Sequence, residues 1–437
     1  MKNKFNRLTL AAAVAAAAFA SQAQAGGYQI NEQSVSGQGY GHAGRSSNVQ
    51  DATIVFGNPA GMSFLDRAQV SVGGTYLDVS TDIDNASATR NGASITGSSD
   101  GDIVPGTLVP YAFYVHPVSE KLAFGFGVYA PFGSKTDYED SFIGRNLGNY
   151  TELTVMSAQP TVSYRFNDQW SVGAGLTYNR VEGELHRQVP NSGRPLTDLD
   201  ARIEGDDDGW GYNLGVIFKP VPETTLGLTY RSKVDYTLTG DFRASTTNDL
   251  PGGVLGPNPV PAGTELRASD AKLDLTTPET VNLSITQEMT DRLKLMFGAS
   301  WARWSRFDQI LVTDSNGNEI TKEEQNYSNA WAFAVGGEYQ LNPQWALRAG
   351  LSIDNTPTKD ATRSARIPSD DRRIFSLGAG WTPAENLTVD FAYSYLTERS
   401  TKVDYGRSDA GGMITSTYTA DYKNEAHGFG AQLTYRF

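Results

Sequence analysis

Cysteine is absent from this chain. A disulfide framework, thiolate catalysis and thiolate metal sites are therefore excluded. Histidine is nearly absent: His42, His116, His186 and His427 lie far apart, and no two have metal-ligand spacing. Beyond residue 25 no apolar run approaches the ~18 residues of a membrane-spanning helix. Basic excess is missing too. The net charge is −13, which argues against nucleic acid as a partner. What the 437 residues do contain is glycine (45), tyrosine (21) and phenylalanine (19) in quantity.

Residues 1–25 read as a secretory signal. Lys2, Lys4 and Arg7 precede an Ala-rich apolar core, and Ala23-Gln24-Ala25 is a small-x-small cleavage site. Removing the segment takes three basic residues with it, so the net charge falls from −13 to −16.

From about residue 67 onward the dominant signal has period two. Trp345, Leu347, Ala349, Leu351 and Ile353 alternate with Ala346, Arg348, Gly350 and Ser352. Trp170–Tyr178 and Leu387–Tyr395 repeat the pattern, apolar on one face and small or polar on the other. Fourteen such strands are expected: 68–79, 107–117, 121–131, 151–166, 169–186, 208–219, 223–240, 271–289, 292–308, 326–341, 344–356, 370–382, 386–402 and 424–437. Six tight turns join them in pairs, and seven longer Asp/Asn/Ser/Thr/Gly-rich loops lie between the pairs. Short turns on one side and long loops on the other is the layout of an outer-membrane barrel. The last strand sets Phe429, Ala431, Leu433, Tyr435 and Phe437 on one face and ends the chain on Phe437. Such a strand resembles the signal read by the barrel-assembly machinery. The expected fold is all-β, a 14-stranded antiparallel transmembrane β-barrel over residues 67–437.

Fourteen tilted strands enclose a backbone cylinder of about 28 Å diameter, so the lumen is either a water-filled pore or is filled. Residues 26–66 are the obvious filling. Eight of these 41 residues are glycine, the pattern is not strand-like, and Tyr28, Ile30, Val35, Val55, Phe56 and Met62 supply apolar material. Short helices are expected at 31–36 and 46–52, the second capped by Ser47 or Asn48, with a turn at Asn58-Pro59. Residues 26–66 are thus read as an N-terminal hatch.

These residues also resemble a known family, the FadL-type outer-membrane long-chain fatty-acid transporters. The resemblance rests on Gly26-Gly27-Tyr28-Gln29-Ile30-Asn31-Glu32, on Asn58-Pro59-Ala60 and on Ile367-Pro368-Ser369-Asp370-Asp371-Arg372, in that order along the chain. It implies passive uptake, with no cofactor, of a long-chain fatty acid or another hydrophobic small molecule. Capture occurs among the extracellular loops, an interior apolar pocket follows, and exit is sideways through an inward kink of the third strand. It further implies that Asn58, Pro59 and Ala60 cover that kink, here at Pro131, Phe132 and Gly133. A proline cannot donate to the ladder, which independently favours a break there.

Alignment to the family places its carboxylate-binding arginine on Arg187, whose alternation from Thr177 gives it lumen parity. The family's second cation, a lysine, falls on Ser328, and Lys322 is the candidate substitute. Relatives that move neutral aromatic hydrocarbons need no cation. Asp371 and Arg372 belong to the matching segment without an assigned role. The remaining partners expected are outer-membrane lipid and lipopolysaccharide, around a monomer in the outer membrane of a Gram-negative cell. An enzyme would require a Ser–His or Asp–His site, and no such constellation is legible. A general porin or an adhesin barrel is the rival reading.

Overall fold

A computed structural model describes residues 26–190, 197–254 and 256–437. The signal segment 1–25 and part of the loop expected at 187–207 lie outside the described residues. The barrel closes through fourteen antiparallel staves. In chain order the first six are Gln69–Arg90, Thr107–Pro117, Leu122–Asp137, Tyr150–Arg165, Trp170–Val189 and Leu199–Val221. The next four are interrupted: Thr224–Arg231 with Val234–Thr246, Glu265–Thr277 with Thr280–Thr290, Leu293–Ala302 with Gln309–Thr313, and Glu319–Glu324 with Ala330–Asn342. Then come Trp345–Asp354, Arg372–Ala384, Leu387–Glu398 with Thr401–Asp409, and Ile414–Arg436. The first and last staves pair from Gln69–Arg436 to Arg90–Ser416, which leaves the sheet without an edge.

Alternation sorts the side chains. Trp170, Val172, Leu176 and Tyr178 are exposed outward, while Ser171, Thr177 and Asn179 are buried in the lumen. The outward band needs lipid, because a soluble protein does not leave so continuous an apolar belt exposed. Aromatic pairs mark its margins, with Trp345 stacked on Trp381 at the short-turn end and Trp331 on Phe333 at the long-loop end.

Several strands run farther toward the long-loop side than their hydrophobic pattern. The first continues to Arg90, the sixth starts at Leu199 and the last at Ile414. Above the lipid, both faces meet water or other loops, so strand pairing persists after the alternation of apolar and polar residues has gone.

The N-terminal residues fill the lumen. Val35–Gln38 is a single helical turn capped by Ser34, Ile54–Gly57 is another, and Pro59–Phe64 is a 3₁₀ helix. The helices expected at 31–36 and 46–52 are thus displaced. Residues 39–47 wind instead through glycine-dependent turns, with Gly41 at φ +65° against the backbone of Gly350 and Leu351. Anchoring to the wall is polar. Gln38 bonds Ser394 and Thr75, Ser46 bonds Ser284, and Gln432 and Ser36 both donate to Asp51.

Candidate functional site

The third stave is where the wall is irregular. Its pairing with the second stave covers only Ala123–Val128 on its own side. Its pairing with the fourth stave continues to Asp137, but the register slips between Tyr129 and Phe132. Ala130 and Pro131 form that bulge, because proline has no N–H to give the ladder. The strand does not stop at Pro131 but bends there and continues.

The free edge is taken up from inside. Gln29 bridges to Phe132, the amide of Ile30 donates to the Pro131 carbonyl at 2.9 Å, and the Gly133 amide donates to the Tyr28 carbonyl at 2.8 Å. Gln33 adds a side-chain bond to the Ala130 carbonyl. Residues 28–30 thus act as a short surrogate strand. Ile30 is buried in one cluster with Leu77, Val109 and Ala130, which come from the first, second and third staves around the irregularity. Unpaired backbone groups at this depth would cost several kcal/mol each.

This differs from the expectation for Asn58, Pro59 and Ala60. That triad lies against the fourth, fifth and sixth staves. The Ala60 carbonyl accepts from Ser163 Oγ and Ser171 Oγ, and Asn58 Nδ2 donates to the carbonyls of Ser46 and Val216. Pro59 and Ala60 approach Gly173 so closely that a Cβ there would sit 2.4 Å from the backbone. The triad fixes the segment to the wall, and the cover over the break comes from residues 28–33. The N-terminal pattern carried that signal, since Gly27 precedes alternating Tyr28 and Ile30.

Above Tyr28 lies a narrow apolar cavity of about 70 Å³. Leu153, Leu185, Leu238, Leu275, Phe307 and Ile310 line it, and Tyr28 forms part of its wall. The Tyr28 ring is held edge-on by Trp304, Phe307 and Phe132 at centroid distances of 4.6, 5.5 and 6.0 Å. Its hydroxyl is buried, with no hydrogen-bond partner among the described residues. Gly27 has φ +62°, and a Cβ there would lie 2.6 Å from the Trp304 ring. Only glycine places Tyr28 in this position without strain.

At its long-loop end the cavity meets a buried charge chain. Arg187 keeps lumen parity and is buried, but it is not free: it pairs with Asp409 at 3.0 Å. Arg407 bridges Asp409 and Glu323 at 3.2 and 3.4 Å, and Arg366 is bidentate to Glu323 at 2.9 and 3.2 Å. Three guanidiniums share two carboxylates, leaving one positive charge in excess. Arg366 is the member that lines the cavity. Sequence reasoning missed it, because the loop 355–371 folds into the barrel mouth and no local pattern says so. Lys322 is exposed, between the buried Thr321 and Glu323, and so faces away from the lumen. It does not replace the lysine missing at Ser328, whose hydroxyl and amide both bond the Pro357 carbonyl. Arg372 pairs with Glu398 at 3.0 Å, and Asp371 accepts from the Thr356 amide at 2.9 Å, so this segment clips the inward loop.

Residues 16–437 match the family described as outer membrane protein transport protein (OMPP1/FadL/TodX). The chain belongs to this family. Outer membrane protein P1 of Haemophilus influenzae is 31% identical over 99% of this chain and 100% of that protein. The long-chain fatty acid transport protein of Salmonella typhi is 28% identical over 98% of each. Among solved structures, a FadL homologue of Pseudomonas aeruginosa superposes with a TM-score of 0.83 at 25% identity, covering 94% of this chain and 99% of that one. The toluene transporter TodX of Pseudomonas putida gives 0.65 at 16% identity, covering 92% and 98%, a likeness of fold. The protein is therefore an outer-membrane β-barrel of the FadL/TodX family of outer membrane transport proteins.

Proposed function

We propose that this barrel takes up long-chain fatty acids or similar long hydrophobic molecules passively and releases them sideways into the bilayer beside the third stave. Residues 26–66 serve as its hatch. One observation carries the reading: Tyr28 is a wall of the apolar cavity and belongs to the segment 28–30 that pairs with the broken strand. A single displacement of that segment would join the cavity to the lipid. The excess positive charge around Arg366, Arg187 and Arg407 favours an anionic head group at the long-loop end. Arg187 then acts through Asp409 within this chain and does not stand alone.

Uptake of oleate and of a sugar into vesicles reconstituted with the full protein tests this. Oleate is expected to enter and the sugar to be excluded. Deleting Pro131 restores one-to-one register between the third and fourth staves and is expected to abolish oleate uptake in a correctly folded barrel. Sugar passage through the intact protein would make it a general porin, and unchanged uptake after the deletion would remove the lateral route. A second reading, transport of neutral aromatic hydrocarbons, is favoured by the pairing of each arginine with a carboxylate. Toluene uptake that outcompetes oleate would establish it.

A further inference from the structure

The outward face of the barrel handles its charges in two ways. On the fifth and sixth staves the arginines find carboxylates: Arg180 pairs with Asp206, Asp208 and Glu182 at 2.7, 3.4 and 3.7 Å, and Arg202 pairs with Glu184 and Glu204, both at 2.8 Å. On the twelfth and thirteenth staves they do not. Arg373 is exposed at the long-loop end of its strand, on the face that carries Phe375 and Leu377 toward lipid. Arg399 is exposed two residues beyond Thr397, which opposes Arg373 in the ladder. Among the described residues neither guanidinium has an ion pair or a side-chain hydrogen bond. The carboxylate on the neighbouring strand, Glu425, is already held by Lys423 at 2.8 Å and by the Tyr395 hydroxyl at 2.9 Å.

Below Arg373 runs a groove of about 440 Å³ on the outer wall. Phe333, Leu351, Ile353, Phe375 and Tyr395 line it, and its lining is almost wholly apolar. Register explains the layout. Arg373 stands between Ile353 and Thr397, and Phe375 between Leu351 and Tyr395, so the cation caps an apolar trough. An arginine there lays its stem on the trough and lifts its fork to the outer-leaflet interface. A fork without a protein carboxylate suits a phosphate presented at that level, and the trough suits an acyl chain hanging from it.

We infer that Arg373, Arg399 and the groove between Phe333 and Tyr395 form a binding site for the phosphorylated acylated glucosamine of lipopolysaccharide in the outer leaflet. The site lies outside the barrel, and its occupancy is independent of the interior cavity.

The test is native mass spectrometry of the full protein in detergent, titrated with bisphosphorylated lipid A. The same glycolipid without phosphates, and phosphatidylglycerol, serve as comparisons. Wild type is expected to retain lipid A in preference to both. The double variant Arg373→Gln/Arg399→Gln is expected to lose affinity on the order of tenfold, as two charge-assisted contacts imply. Arg180→Gln, whose guanidinium is already held by carboxylates, is expected to leave retention unchanged. Both arginines are exposed, so the variants keep the barrel, checked by its heat-dependent electrophoretic shift. Equal retention by the double variant, equal retention of the dephosphorylated glycolipid, or equal retention of phosphatidylglycerol would each overturn the assignment.

Discussion

The backbone nitrogen of Gly26 donates to Oδ2 of Asp354 at 3.1 Å, joining the start of the described chain to the end of the eleventh stave, 328 residues away. Both residues are buried. Gly26 is also the residue that follows the expected cleavage site. Cleavage at that expected site would convert its amide into an α-ammonium and the hydrogen bond into a buried ion pair.

Asp354→Ala is expected to loosen residues 26–33 while leaving the barrel folded. Removing the carboxylate leaves the buried Gly26 N–H without its partner, a cost of about 1–3 kcal/mol. Hydrogen exchange of the Ile30 and Gly133 amides, which bond across the break, measures it. Exchange as slow as in wild type would show that Asp354 is not the anchor.

Gly27→Ala is expected to displace Tyr28 from its aromatic cage. The new methyl group meets the Trp304 ring at 2.6 Å, and the residue must keep a left-handed conformation. Oleate transport should then change in rate while the fold persists. A structure of the variant with Tyr28 still against Trp304 and Phe307 would contradict the packing argument.

Arg348→Met is expected to destabilise the barrel interior by about 3–5 kcal/mol. Arg348 is buried between Glu338 at 2.7 Å and Asp390 at 2.5 Å, and its removal strands both carboxylates. The temperature of the electrophoretic shift should fall, and Glu338→Gln in the same chain should recover part of the loss.

His42 gives the N-terminal segment a pH dependence. Burial, helped by the Arg45 charge, holds its pKa well below the usual value. The folded segment therefore keeps it neutral where the released segment would protonate it. Stability is full above about pH 6.5 and falls as pH drops below that, by up to about 1.4 kcal/mol per unit, until the folded-state pKa is reached. Hydrogen exchange of residues 35–45 should accelerate from pH 7 to pH 5 in wild type and stay flatter in His42→Gln.

The barrel was legible because alternation along a lipid-facing strand is a strong local signal. All fourteen strands lie where the pattern of 170–178, 345–353 and 387–395 led. The lumen parity of Arg187 held for the same reason, since the fifth strand has no bulge between Ser171 and Val189 on its sixth-stave side. The hatch interior was less legible. Its turns at Gly27 and Gly41 depend on what they touch, and the helices moved accordingly.

The amino-acid order alone determined the strand number, the outward and inward faces, and the short-turn side. Those are consequences of a period-two pattern read against a bilayer. Only the tertiary structure decided that residues 28–30 seal the third strand while Asn58-Pro59-Ala60 grips the fourth to sixth. It also decided that Arg187 is spent on Asp409 and that Arg366 reaches the cavity. Each of those joins residues tens to hundreds of positions apart, and their meeting depends on barrel closure, one bulge at Ala130-Pro131 and the inward fold of a loop. No local sequence pattern encodes a distance across a lumen.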